Sequence, residues 1–112
     1  DVASLRKSGK LSPKILLVKP QASLSWQYHH RRAETWRVIQ GPVGVIRSFN
    51  DVENELENCA VDKIITLKRG ERHRLIGLDN WGVVAEFWQH TDAKSPSNEQ
   101  DIVRLQDDYA RE

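Results

Sequence analysis

Seven short apolar segments, rich in β-branched and aromatic residues and each closed off by turn chemistry, restrict this chain to a β architecture. They lie at residues 14–19, 23–28, 34–40, 43–49, 62–68, 73–78 and 83–90, with Ile-Leu-Leu-Val at the centre of the first. Gly41-Pro42, Asn50-Asp51, Arg69-Gly70 and Asp79-Asn80 supply turns between them. This even spacing predicts a closed barrel or a double sheet, because a βαβ fold needs long helical periods that the chain does not contain. Residues 51–58 are polar all round and read as a helical turn or an exposed hairpin loop. Residues 91–100, with Lys-Ser-Pro-Ser-Asn, read as a loop, and residues 101–105 as a final strand before a polar tail.

At 112 residues the chain is expected to form one domain, residues 1–112, with 1–13 as an amino-terminal extension. Its single cysteine, Cys59, has no second cysteine to pair with, which suits a reducing, cytoplasmic setting. No apolar run reaches the length of a membrane span, and residues 1–10 lack the apolar stretch of a signal peptide. With 17 basic against 16 acidic side chains the net charge is +1, which argues against a nucleic-acid surface. The charge is uneven, with Lys7, Lys10, Lys14 and Lys19 near the start and Glu99, Asp101, Asp107, Asp108 and Glu112 near the end. Two solvated termini explain that pattern most simply.

Chemistry concentrates between Gln27 and Gly41. Gln27 and His29 are two apart, so on a strand both point to one face. Glu34 falls on the opposite parity, and it reaches that face only if His30-Arg31-Arg32-Ala33 bends or turns a corner between strands. Beyond the bend, Glu34 shares its face with Trp36 and Val38, where an unpaired carboxylate is costly and a metal ion would be a partner. His73, on a later strand with Leu75 on its face, is the best fourth ligand. Two imidazoles, a carboxylate and an amide oxygen make a mixed N/O site for zinc, with manganese or ferrous iron as alternatives. His30, on the other face from His29, is expected to be exposed and is not counted as a ligand.

These residues also carry a family resemblance. Gln27-Tyr28-His29, Glu34 and Gly41 resemble the first cupin motif, with Gln in place of its first His. Leu67-Lys68-Arg69-Gly70-Glu71-Arg72-His73 resembles the second, with Lys68 where proline is usual and Gly77 where asparagine often follows. Within the cupins, Leu24-Ser25-Trp26-Gln27-Tyr28-His29-His30-Arg31-Arg32-Ala33-Glu34-Thr35-Trp36 is similar to the type II mannose-6-phosphate isomerase pattern, which itself carries Gln at that place. Asp101-Ile102-Val103-Arg104, continuing to Tyr109 and Arg111, resembles its tail, and Thr35 departs from the family's histidine. The resemblance runs from about Lys14 to Arg111 and implies an all-β cupin jelly-roll barrel with a divalent metal on Gln27, His29, Glu34 and His73. It further implies interconversion of mannose 6-phosphate and fructose 6-phosphate, with Arg32 at the place of a catalytic arginine.

Such an isomerisation needs a base to move a proton between adjacent carbons. Glu86, which alternation places with Val84 and Trp88, is an inward carboxylate to test, a hydrogen-bonded core carboxylate being its bland counterpart. Trp26, Trp36, Trp81 and Trp88 could stack on a sugar, although aromatics on strands more often fill a core. The expected substrate is therefore a small sugar phosphate and the expected assembly a homodimer. The rival reading is a non-catalytic sugar-binding or regulatory cupin, and a cupin oxygenase ranks third.

Overall fold

The computed structural model describes residues 13–91 and 94–106. Nine strands run through them: β1 (Pro13–Val18), β2 (Trp26–Tyr28), β3 (Arg32–Gln40), β4 (Val43–Ser48), β5 (Glu57–Cys59), β6 (Ile64–Leu67), β7 (Arg72–Gly77), β8 (Gly82–His90) and β9 (Val103–Gln106). They form two antiparallel sheets, one ordered β1-β8-β3-β6 and the other β5-β4-β7-β2-β9. Apart from the β4–β5 pair, successive strands exchange between sheets, so the inner faces close on one another as the cupin jelly roll that the strand spacing and motifs predict. Among the described residues no helix is long and apolar enough to cross a membrane.

Alternation along β3 and β6 puts one side of each in the core, while β4, β7 and β8 are buried over longer runs. On β3, Arg32, Glu34, Trp36 and Val38 are buried while Arg37 and Ile39 are exposed, the parity read from the sequence. Val18, Trp36, Val38, Val43, Val45, Ile65, Leu67, Leu75 and Val84 meet between the sheets as a continuous apolar core. That core fills one end of the barrel, and the polar inward residues occupy the other.

Two elements differ from expectation. Residues 51–56 form the exposed loop, but Glu57–Cys59 is a strand, because Val43, Gly44 and Val45 on β4 offer it a ladder. The predicted segment 23–28 is paired as a strand only over Trp26–Tyr28, with Ser23 held to Ile76 by an isolated bridge. Near it, Gly77 touches the incoming turn so closely that an added Cβ would lie 1.8 Å from the Lys19 carbonyl oxygen. Glycine is required there by space. Residues 1–12 of the expected extension 1–13, and Asp107, Asp108, Tyr109 and Arg111 of the tail, lie outside the described residues, while Pro13 opens β1.

Candidate metal centre

The bend required by strand parity is present at residues 29–31, where the chain leaves β2 in one sheet and joins β3 in the other. Asp101 holds it. Its carboxylate accepts the His30 and Arg31 backbone N–H groups, both at 2.8 Å, and the Ser97 hydroxyl at 2.6 Å. Burial opposes ionisation of Asp101, but these donors and the Arg31 charge outweigh it and hold its pKa below the usual value. Its carbonyl oxygen accepts a hydrogen bond from His29 Nδ1 at 2.6 Å. Nothing in residues 27–41 pointed to Asp101, although it opens the tail motif.

The structure brings His29, Glu34 and His73 together, all buried, with one potential ligand atom from each within 4.8 Å of the others. His73 Nδ1 donates to the Glu71 carbonyl at 3.0 Å. Both imidazoles thereby spend Nδ1 on backbone carbonyls and turn Nε2 toward Glu34, the tautomers being assigned from this network. Nε2 of His29 lies 3.3 Å from Glu34 Oε2, and Nε2 of His73 lies 3.3 Å from Glu34 Oε1. His73 Nε2 and Glu34 Oε1 have no hydrogen-bond partner despite complete burial. With both imidazoles neutral, acceptor atoms face one another in a buried site and a cation between them would satisfy both, so the donor set fits a divalent metal.

Ionisation follows from the same crowding. Burial pulls His29 down to about 4 against the Glu34 charge, with His73 and Arg32 adding to the fall. Burial acts the same way on His73, yet its contact with Glu34 prevails and raises its pKa. Glu34 is held below the carboxylate range because His73, His29 and Arg32 overcome a burial effect of the opposite sign.

Gln27 faces His73 across the β2/β7 pair, and its Oε1 accepts from Ser25 Oγ at 3.0 Å. No hydrogen bond joins it to the other three among the described residues. Arg32 is buried rather than a surface cation. Its Nε donates to Glu34 Oε2 at 2.8 Å, one terminal nitrogen donates to Ser97 Oγ and the Asn98 carbonyl, and the other lies 3.1 Å from His29 Nε2. Its guanidinium stacks on Trp88 at 3.5 Å from the ring centroid. The loop before β9, which composition left featureless, thus clamps the arginine.

A cavity of about 170 Å³ opens beside this cluster, lined among others by Gln27, Arg32, Trp36 and Glu86. Glu86 is buried, and its two oxygens accept the indole N–H groups of Trp36 at 3.0 Å and Trp88 at 2.8 Å. Burial, then the nearby Glu34 charge, pushes its pKa up to about 7. A larger open depression along Arg47, Phe49 and Lys68 touches none of the cluster. His30 and Trp81 are exposed, and Trp26 donates to the Asp51 carbonyl, so these rings stay outside the cavity.

Residues 1–107 match the family described as Mannose-6-phosphate isomerase C-terminal. The chain belongs to this family. Relatives of this mannose-6-phosphate isomerase C-terminal domain include the xanthan biosynthesis protein XanB of Xanthomonas campestris, 32% identical over 108 residues, or 96% of this chain. The alginate biosynthesis protein AlgA of Pseudomonas aeruginosa is 32% identical over 111 residues, again 96% of the chain. The mannose-1-phosphate guanylyltransferase ManC of Salmonella typhimurium is 32% identical over 98 residues, 88% of the chain. The chain spans about a fifth of the length of these relatives: 21% of XanB and AlgA and 19% of ManC. In fold, the domain superposes on the capsular polysaccharide assembling protein CapF of Staphylococcus aureus with a TM-score of 0.64 at 18% identity, covering 85% of this chain and 28% of that one. Oxalate oxidase in complex with glycolate gives 0.68 at 15%, covering 88% and 47%.

Proposed function

We propose that this chain is the isomerase module of a sugar-phosphate enzyme, interconverting an aldose and a ketose of the mannose 6-phosphate and fructose 6-phosphate type. The observation that carries the reading is Glu86, a carboxyl with a pKa near 7 on the wall of the cavity beside the His29, Glu34 and His73 cluster. Gln27, His29, Glu34 and His73 would hold the metal, zinc in the first instance and manganese or ferrous iron as alternatives. When bound, that cation supplies Lewis-acid polarisation of a sugar oxygen.

The chain's own residues do the rest. Near neutral pH both forms of Glu86 are populated, so it can take a proton from the carbon beside the carbonyl and return it to the neighbouring carbon. The Trp36 and Trp88 indoles fix the plane in which that carboxyl works. Arg32 lines the cavity with one N–H beyond those it has spent, placed to meet negative charge developing on the substrate. The free, buried Cys59 suits a cytoplasmic setting, and exposed Ile15 and Leu17 on the edge strand β1 suit a homodimer.

Metal analysis coupled to a mannose 6-phosphate assay tests the reading, with His29→Ala and Arg32→Ala as controls. Glu86→Gln is expected to lower kcat by about a hundredfold or more while leaving metal content intact. Metal-loaded protein that turns over no hexose or heptose phosphate sinks the isomerase. One feature favours the rival, a non-catalytic sugar-binding or regulatory cupin: both Glu86 oxygens already accept hydrogen bonds, as in a satisfied core carboxylate. That rival predicts sugar binding without turnover.

A further inference from the structure

The cavity carries more positive charge than the metal site uses. Arg32, at its inner end, is committed to Glu34, His29, Ser97 and Asn98 and stacked on Trp88. Two further cations line the same cavity from opposite sheets, Lys14 on β1 and Arg104 on β9. Register aims both inward. Lys14 is the cross-strand partner of Glu86 and Arg104 that of Gln27, and partners on an antiparallel ladder share a face. Both are exposed, so they stand at the mouth while Arg32 stands below.

Their present partners differ. Lys14 Nζ lies 3.3 and 3.2 Å from the two carboxylate oxygens of Glu99, another residue of the cavity wall. Arg104 has no carboxylate partner among the described residues.

We propose that Lys14 and Arg104 form a phosphate-monoester subsite at the cavity mouth, and that the Glu99 carboxylate is the stand-in which the phosphate displaces. This rests on the sugar-phosphate reading above and adds to it the residues that would recognise the phosphate. A phosphate monoester presents several anionic oxygens, which a guanidinium fork meets with parallel hydrogen bonds and an ammonium meets as a point charge. Glu99 is 71% exposed in its side chain, and an ion pair of that kind contributes little to stability, so exchanging it for a dianion costs little. Arg32 has a single N–H left, too few for a paired contact with phosphate, and freeing a second would break one of its bonds to Glu34, His29, Ser97 or Asn98. Anchoring at the mouth also points the sugar inward, toward Glu86 and the ligand cluster.

The test is calorimetric titration of the metal-stripped full chain with inorganic phosphate. Arg104→Gln and Lys14→Gln are each expected to weaken binding by about tenfold. Glu99→Gln is expected to tighten it, and that opposite sign separates a subsite from general damage to the fold. Absent phosphate binding, an unchanged affinity in Arg104→Gln, or weaker binding in Glu99→Gln overturns the proposal. The titration involves neither metal nor turnover, so a chain that binds phosphate in this pattern yet isomerises nothing keeps the subsite and loses the isomerase. Turnover with an unchanged KM for mannose 6-phosphate in Arg104→Gln does the reverse.

Discussion

At the scale of single residues, Glu86 links the cavity's chemistry to the stability of the fold. Its folded pKa, about 7, lies above the ordinary value of 4.5, so between those limits the folded chain holds a proton that the unfolded chain has released. The contribution of Glu86 to stability must then fall as pH rises from about 4.5 to about 7 and level off above it, by on the order of 3 kcal/mol, while His29, with its pKa lowered to about 4, contributes in the opposite direction. Urea unfolding of wild type and Glu86→Gln across that range measures it, because the variant lacks this contribution and the two curves should differ in slope on the same axis. Parallel curves would mean that Glu86 ionises normally and is no proton carrier near neutrality. The inward aim of Glu86 was legible from alternation with Val84 and Trp88. Its Trp36 donor was not, since Trp36 is fifty positions away on another strand and no local pattern couples the two. The same limit hid Asp101, whose contacts with His29, His30 and Arg31 span some seventy residues.

At the scale of elements, period-two alternation and turn residues located most of the ladder, because each strand buries one face and the pattern is local. Glu57–Cys59 escaped because a three-residue edge strand with two exposed side chains carries no periodic signal, and only its partner β4 defines it. The end of β7 gives the sharpest test of packing between elements. Gly77 donates its N–H to the Ala22 carbonyl at 2.8 Å, and a Cβ there would meet the Lys19 carbonyl oxygen and carbon at 1.8 and 2.8 Å. Both are backbone atoms, which cannot swing aside as a side chain can. Gly77→Ala should therefore destabilise by at least the roughly 1–3 kcal/mol usual for overpacking, measured by denaturant midpoint. Gly70→Ala is the useful contrast: its φ of +78° brings backbone strain but no clash, since nothing lies within 4 Å of its missing Cβ. Equal losses at both positions would mean that the β7 contact yields easily.

On the scale of the whole molecule, an apolar core fills one end of the barrel and a cluster of buried polar groups stands at the other, contributed by both sheets. Glu34 comes from the β1-β8-β3-β6 sheet and His73 from the other, with His29 on the bend between them. A metal held by all three would therefore clamp sheet to sheet, and it would bind the folded chain far better than the unfolded one. Ligand linkage makes that a stability gain of about 2.7 kcal/mol when free metal is about a hundred times its Kd. For a domain near this size the midpoint should rise by on the order of 10 °C. Thermal melts of chelator-treated protein, alone and with zinc, manganese or ferrous iron, measure the rise and rank the metals. His73→Ala should lose most of it, because the His73 Nε2 and Glu34 Oε1 pair left without partners is the part of the cluster that Arg32 does not already serve. An increase retained in His73→Ala would place the metal elsewhere. No increase with any of the three ions would leave Arg32, paired with Glu34 and His29, as the cation that serves the cluster.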